Sequence, residues 1–150
     1  MKLSHKTFVA LMFTAVLAAG SGLAQADDMA SGKKAVLDDI QKTLGAVPTF
    51  VKQVPDAALA GFWREEKDLE LSDKTALSPK VKTLISLAVA AQIPCNYCIV
   101  SDTATAKQLG ATDQEIGEAV AMAGLTRNAS TLLNGLQVDL EIFKKEMGIQ

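Results

Sequence analysis

The chain has 150 residues, of which 49% are hydrophobic, and a formal net charge of −2 at pH 7. This length is typical of a single domain. A charge so close to zero gives no reason to expect binding to nucleic acid or to an anionic membrane surface. One histidine and two cysteines restrict the possible chemistry further.

The N-terminus has the pattern of a secretory signal peptide. Lys2 and Lys6 precede an apolar run at residues 8–19, and Ala24-Gln25-Ala26 is a small-x-small cleavage site. The apolar run is too short to span about 30 Å of hydrocarbon. We therefore predict cleavage after Ala26, a mature domain of residues 27–150, and a periplasmic or secreted location with no membrane contact after cleavage.

Removal of residues 1–26 would change the available chemistry. His5 is the only histidine, so the mature chain would contain none. The loss of Lys2 and Lys6, with no acidic residue, takes the formal charge from −2 to −4. A Ser-His-Asp triad, a Cys-His pair and a His-ligated zinc site are thereby excluded. Proton acceptors must be carboxylates, water or a thiolate.

Apolar residues recur at helical spacing, and no stretch shows the alternation of a strand, which predicts an all-α fold. Helix boundaries follow from caps and breakers, including a capping box formed by Thr112 and Glu115. The predicted helices run from Ser31 to Gly45, Asp56 to about Leu69, Ser78 to Gln92, Cys95 to Gly110, Thr112 to a break near Arg127 and Asn128, and from that break to Gly148.

The third predicted helix is apolar around almost its full circumference between Val81 and Ala91. A helix with this pattern is buried on all sides. It is either the central helix of the domain or part of a subunit interface. We expect a trimer or a larger assembly.

Cys95 and Cys98 are the only cysteines, and their C-x-x-C spacing places both sulfurs on one face of a helical turn. Pro94 indicates a helix start, where the helix dipole lowers the pKa of a thiol. A disulfide closing so small a loop removes little chain entropy, which favours a redox pair over a structural disulfide or inert thiols. Two sulfurs without histidine leave zinc half-coordinated, so no metal or other cofactor is predicted.

Asp102 lies four residues after Cys98 and therefore on the same helix face. An ionised carboxylate there would disfavour a thiolate beside it. If burial keeps the carboxyl protonated, Asp102 can donate or shuttle a proton. Alternatively, it is a solvated helix residue paired with Lys107 or Arg127.

Two other residues have a structural and a functional interpretation. Tyr97 either packs in the core or lines a pocket beside the sulfurs. Glu66 falls on the apolar stripe of the second helix, where it either reaches water at the stripe's edge or supplies a carboxylate near the site.

Residues 77–136 resemble a known family. The motifs are Leu77-Ser78-Pro79-Lys80 with the apolar helix that follows, Cys95-Asn96-Tyr97-Cys98-Ile99, and Leu109-Gly110-Ala111-Thr112 with Glu115-Ile116. Together they are similar to the carboxymuconolactone decarboxylase family, and more closely to its alkylhydroperoxidase (AhpD-like) branch.

The resemblance implies an AhpD-like helical bundle that assembles into homotrimers or homohexamers. It also implies a peroxidatic Cys98 with Cys95 as its partner thiol. Peroxidases of this branch use a glutamate on the preceding helix and a histidine four residues after the second cysteine as a proton relay. Thr83 and Asp102 occupy the matching positions, so both relay residues differ from the usual pattern.

The function predicted from these features is that of an exported thiol-disulfide oxidoreductase of peroxidase or peroxiredoxin type. It would reduce a peroxide or a small disulfide, with electrons from an unidentified thiol donor. One alternative is a decarboxylase or lactone-processing enzyme, although that branch does not depend on a cysteine pair. The other is a non-catalytic oligomeric member that lost the relay.

Overall fold

The computed structural model describes residues 32–149, which form six α-helices. No strand occurs among these residues, so the predicted all-α fold is confirmed. The predicted signal peptide and its cleavage site at Ala26 lie outside the described residues. The helices are α1 (residues 32–44), α2 (Asp56–Arg64), α3 (Pro79–Gln92), α4 (Asn96–Gln108), α5 (Asp113–Gly135) and α6 (Leu140–Glu146).

Two short irregular helices accompany them: a 3₁₀ helix at Thr49–Gln53 and a π-helix at Glu65–Glu70. The helix predicted from Asp56 to about Leu69 is thus α2 followed by the π-helix. None of the helices in residues 32–149 is long and apolar enough to cross a membrane. The described residues divide into two compact units, residues 32–68 and residues 69–149.

The first unit has a core of Ile40, Val51, Leu59 and Trp63, contributed by α1, the 3₁₀ helix and α2. Its polar edge is fixed by Asp39, whose Oδ2 accepts hydrogen bonds from Trp63 Nε1 at 2.7 Å and from Lys67 Nζ at 2.8 Å. The bonds from Lys67 and then from Trp63 lower the pKa of Asp39.

In the second unit, α3 packs against α4 and α5. It buries Thr83, Leu87 and Ala90, but Ile85 and Val89 remain 50% and 53% exposed. The expectation that this helix is buried on all sides is therefore wrong for the single chain, because α4 and α5 cover only part of its circumference. Its role in a subunit interface stays a prediction.

The predicted caps of the second unit are confirmed. The Ser78 side chain accepts a hydrogen bond from Val81 N, with Pro79 at the first helical position. The capping box is complete, since Glu115 N donates to Thr112 Oγ1 at 3.1 Å and Thr112 N donates to Glu115 Oε2 at 2.8 Å. Gly110 ends the fourth helix with φ of +81°, a conformation that glycine adopts without strain.

The predicted break near Arg127 and Asn128 is wrong, because α5 continues to Gly135. Arg127 Nε instead donates a hydrogen bond to Gln92 Oε1 at 2.7 Å, which ties the middle of α5 to the end of α3. The chain turns at Gln137, which has a positive φ of 54°, and Asp139 then caps α6.

Candidate functional site

The C-x-x-C segment is held at the junction of α3 and α4. Cys95 N donates a hydrogen bond to Ala90 O at 3.0 Å, which folds the chain back after the last turn of α3. The end of α3 is itself anchored to α5, because Gln92 Nε2 donates to Ala123 O at 2.6 Å. The backbone that carries the first cysteine is therefore positioned by two helices.

Cys95 is the N-cap of α4, and its Sγ accepts a hydrogen bond from Cys98 N at 3.3 Å. The two cysteines form a disulfide with an S–S distance of 2.11 Å and a Cα–Cα distance of 5.3 Å. Both residues are half-buried. The structure thus places the pair at a helix N-terminus, where backbone N–H groups and the helix dipole favour negative charge.

Asp102 is buried, with 7% of its surface exposed. The Ser86 hydroxyl on α3 donates a hydrogen bond to its carboxyl group. The other oxygen, Oδ2, is buried without a hydrogen-bond partner. Burial raises the pKa of Asp102, and the bond from Ser86 opposes this effect, because an apolar environment disfavours the charged form and a donor favours it.

The alternative interpretation of Asp102 as a solvated, ion-paired residue is wrong. Lys107 Nζ pairs with Asp113 Oδ1 at 2.9 Å, and Arg127 bonds to Gln92. Neither basic side chain needs Asp102 as its partner. Asp102 is therefore a buried carboxyl without an ion-pair partner among these two bases, one helical turn from Cys98.

Thr83, at the position where the resemblance expects a glutamate, is only 1% exposed. Its hydroxyl donates to Pro79 O at 3.0 Å, so it is satisfied within its own helix. Ser86 lies one turn further along α3 and contacts Asp102 instead. The polar partner of Asp102 on α3 is thus a hydroxyl.

Three residues that the sequence did not single out complete the surroundings. Glu70, at the end of the π-helix, lines a pocket of about 530 Å³ together with Lys82 and Ser86. Burial and then the charge of Asp102 raise the pKa of Glu70, whereas Lys82 acts in the opposite direction. The remaining walls are largely apolar and include Leu69, Leu77 and Ile85.

A sequence signal existed for only one of these residues. Ser86 is the single hydroxyl in the otherwise apolar run Leu84–Ala91, and a lone polar residue on such a helix often has a buried partner. In the sequence, Glu70 begins the polar stretch between the second and third predicted helices, where an acidic residue carries no information about its neighbours.

The other two ambiguous residues are also located. Tyr97 is 91% exposed in the single chain, so the core-packing interpretation is wrong. Glu66 is half-buried in the π-helix. No group of three or more metal-ligating side chains lies close together within residues 32–149.

Comparisons with known proteins agree with this arrangement. The sequence profile of the carboxymuconolactone decarboxylase family matches residues 57–139. A similar solved structure is the alkylhydroperoxidase AhpD core from Rhodospirillum rubrum, with 30% sequence identity, a TM-score of 0.66, and coverage of 79% of this chain and 90% of that chain. No curated protein sequence matches the chain.

Proposed function

The chain belongs to the carboxymuconolactone decarboxylase family and has an AhpD-like fold, and we propose that it is a thiol-disulfide oxidoreductase that reduces a peroxide or a small disulfide. The observation that carries this proposal is the Cys95–Cys98 disulfide at the N-terminus of α4, with buried Asp102 one turn from Cys98. A thiol pair in this position can be oxidised and reduced without rearrangement of the helix.

The proposed reaction begins with the reduced pair. The Cys98 thiolate attacks the outer oxygen of a hydroperoxide, the O–O bond breaks, and the alkoxide takes a proton to leave as an alcohol. Cys98 is then a sulfenic acid. The Cys95 thiolate attacks that sulfur, hydroxide leaves with a proton as water, and the disulfide forms. An external dithiol returns two electrons and two protons to the pair and becomes a disulfide.

Cys98 is the attacking residue in this scheme because a proton acceptor lies on its own helix face. Asp102 is four residues further along α4, and its Oδ2 is buried without another partner. In its ionised form it can accept the thiol proton. Its raised pKa brings the carboxyl nearer to the range in which general acid–base groups work.

The expected preference for disulfides over hydroperoxides follows from the residue four positions after Cys98, which is Asp102 and not a histidine. A carboxylate repels a neighbouring thiolate, so attack on hydroperoxides should be slow compared with that of relay-containing relatives. Exchange with small disulfides needs only a thiolate and a resolving thiol. We expect both reactions, with disulfide exchange the faster.

Trapping of the oxidised sulfur tests the proposal directly. The reduced Cys95→Ser variant should form one sulfenic acid when treated with a hydroperoxide, and a sulfenate-specific reagent should label Cys98. The Cys98→Ser variant should not be labelled in the same way. Because the chain has only two cysteines, no other thiol can account for the label. Unlabelled Cys95→Ser protein, together with no exchange by wild type, would contradict the proposal.

The proposal includes export. The pattern of residues 1–26 supports a periplasmic or secreted location. These compartments are oxidising, so a thiol pair can form a disulfide there. Mass spectrometry of the exported protein should find Asp27 as its first residue. An intact Met1 would contradict this part of the proposal.

A further inference from the structure

Three polar side chains from three helical elements are related in pairs near the C-x-x-C helix α4. Asp102 comes from α4, Ser86 from α3 and Glu70 from the end of the π-helix. Ser86 is common to both sides of this cluster, because its hydroxyl bonds to the Asp102 carboxyl and its side chain shares a pocket wall with Glu70. The cluster therefore extends from a buried carboxyl to a pocket surface.

Lys82 fixes the position of Glu70. Its Nζ, on α3, donates to the backbone carbonyls of Leu69 and Ser72 on either side of Glu70. The Leu69 carbonyl belongs to the π-helix, and the Ser72 carbonyl belongs to the segment that follows it. The ammonium group thus anchors the segment that carries Glu70 to the helix that carries Ser86.

We propose that Glu70 is the outer member of a proton relay in which Ser86 connects it to Asp102, so that the proton released by Cys98 reaches the pocket. This inference rests on the thiol chemistry proposed above. Asp102 is the inner member because it lies one turn from Cys98 and is almost fully buried. Glu70 is the outer member because it is only half-buried and lines the pocket.

The relay has a simple division of roles. The Cys98 thiol transfers its proton to the Asp102 carboxylate. A hydroxyl accepts one proton while it donates another, so Ser86 can pass a proton onward from Asp102 without a change in its own charge. Glu70 then releases a proton to water in the pocket that it lines. Over a full peroxide reduction the two thiol protons end on the alcohol and on water, and none is consumed.

The charges around the relay favour states in which one of its two carboxyls is protonated and the other is ionised. Asp102 on α4 and Lys82 on α3 are the charged groups that act on Glu70, in opposite directions. Two carboxyls that repel each other lose their protons in separate steps, and one proton is then shared between them over an intermediate pH range. Such separation is characteristic of paired acids and bases in active sites.

The first test requires no turnover. In a Cys95→Ser background, Cys98 is the only thiol, and its alkylation by iodoacetamide is followed between pH 5 and pH 10. We expect Glu70→Gln to shift this pH profile when Asp102 is present and to leave it unchanged in an Asp102→Asn background. Asp68→Asn is the matched control, because it removes an exposed carboxylate from the same π-helix and should leave the profile unchanged in both backgrounds.

The second test follows the shared proton. Infrared spectra of wild type should show the C=O stretch of protonated carboxylic acid at a pH above the range in which ordinary carboxyls ionise, and Glu70→Gln should weaken that band because it removes one of the two carboxyls whose pKa is raised. In peroxide reduction, Glu70→Gln should lower kcat by about 10²-fold with KM little changed. Ser86→Ala should produce a loss of similar size, and Glu70→Asp should restore part of the rate.

The outcomes separate the relay from the proposed function. If Glu70→Gln behaves like Asp68→Asn in the alkylation profile and in the infrared band, the relay is wrong even when the enzyme turns over. If the band weakens but kcat is unchanged, Glu70 holds a proton that the reaction does not use, and the relay is also wrong. If wild type has no redox activity while the profile depends on Glu70 and Asp102 together, the proposed function fails and the coupling of the two carboxyls to Cys98 stands.

Discussion

Asp102 is a buried carboxyl one helical turn from Cys98, and Ser86 is its hydrogen-bond donor. The carboxyl is 7% exposed and has one unpartnered oxygen, so ionisation leaves a buried charge with a single donor. A neutral amide of the same shape would keep an oxygen for the Ser86 hydroxyl and remove that charge. The ionised carboxyl of Asp102 therefore costs folding stability.

The Asp102→Asn variant should reveal this cost as a pH-dependent gain in stability. The native pKa is raised above 3.8, so the native state resists ionisation while the unfolded state ionises freely. Wild type therefore loses stability as pH rises from about the unfolded pKa through the native pKa. The stability of the variant relative to wild type should therefore rise as pH increases from acid to neutral, and this pH-dependent part of the difference should vanish in acid.

Urea unfolding between pH 3 and pH 8 measures this effect. Asp113→Asn provides a control of opposite sign, because its bond to Lys107 lowers the pKa of Asp113. That variant should lose stability at neutral pH and match wild type in acid. A pH-independent effect of Asp102→Asn would contradict the raised pKa.

Replacement of Asp102 by histidine should increase peroxide reduction. An imidazole is neutral or cationic near pH 7, so it no longer repels the Cys98 thiolate and can accept its proton. We expect hydroperoxide turnover to rise by about 10²-fold, the low end for general base catalysis. Ser101→His, on the exposed part of α4, is the matched control and should have no effect.

Thr83→Glu would restore the second position of the family pattern. Thr83 is 1% exposed, so the longer side chain needs space that the single chain does not offer, and Asp102→His should be measured first alone and then with Thr83→Glu. Brisk peroxide turnover by wild type with no gain in either variant would show that Asp102 or another carboxylate already accepts the proton efficiently.

At the residue scale, the sequence predicted the cysteines and Asp102 because all three lie within two turns of one helix, where spacing determines proximity. It could not place Glu70, which reaches the site through the fold of the chain between the π-helix and α3. It also could not decide whether Asp102 is buried, because that depends on the packing of α3 against α4.

At the scale of single elements, the N-terminus of α5 is stabilised by an ionised Glu115. Bonds from Lys80 and from the Thr112 backbone lower the pKa of Glu115 from 4.5 to about 2. A lowered native pKa contributes stability above pH 4.5 that is lost as pH falls towards 2. Glu115→Gln should therefore be less stable than wild type at pH 7.

Thermal unfolding at several pH values tests this effect. The difference between Glu115→Gln and wild type should shrink between pH 4.5 and pH 2. Glu118→Gln, on the same helix and bonded only to Gln114 among the hydrogen bonds described for it, should show a smaller and less pH-dependent change. Equal effects of the two substitutions would contradict the stabilisation of the α5 N-terminus by ionised Glu115.

Helix starts were predictable because the signals are local. The Ser78-Pro79 and Thr112-x-x-Glu115 patterns act through side chains within one turn. The continuity of α5 through Arg127 was not predictable, because the contact of that side chain with Gln92 joins residues far apart in sequence. The widening of α2 into a π-helix likewise has no recognised local signature in this sequence.

At the scale of the whole molecule, apolar side chains remain exposed from the second half of α5 to the start of α6. Leu132, Leu136 and Leu140 are 52%, 73% and 62% exposed in the single chain. Large apolar side chains that remain exposed together mark an interaction site. We predict that copies of this chain cover it in a trimer or hexamer.

Light scattering at micromolar concentration tests the assembly. Wild type should have the mass of a trimer or a larger species, and Leu136→Lys should reduce it. Asn128→Lys adds the same charge at a polar, exposed position of α5 and should leave the mass unchanged. A stable wild-type monomer would contradict the prediction.

The reduction potential of the Cys95–Cys98 couple tests the central claim most directly, because it distinguishes a working redox pair from a structural disulfide. It is measured by equilibration of the protein with glutathione or dithiol buffers and quantification of the two thiols. A redox-active pair predicts a potential above about −300 mV, in the range of known thiol-disulfide oxidoreductases. A potential well below about −300 mV would identify the bond as structural and contradict the proposed function.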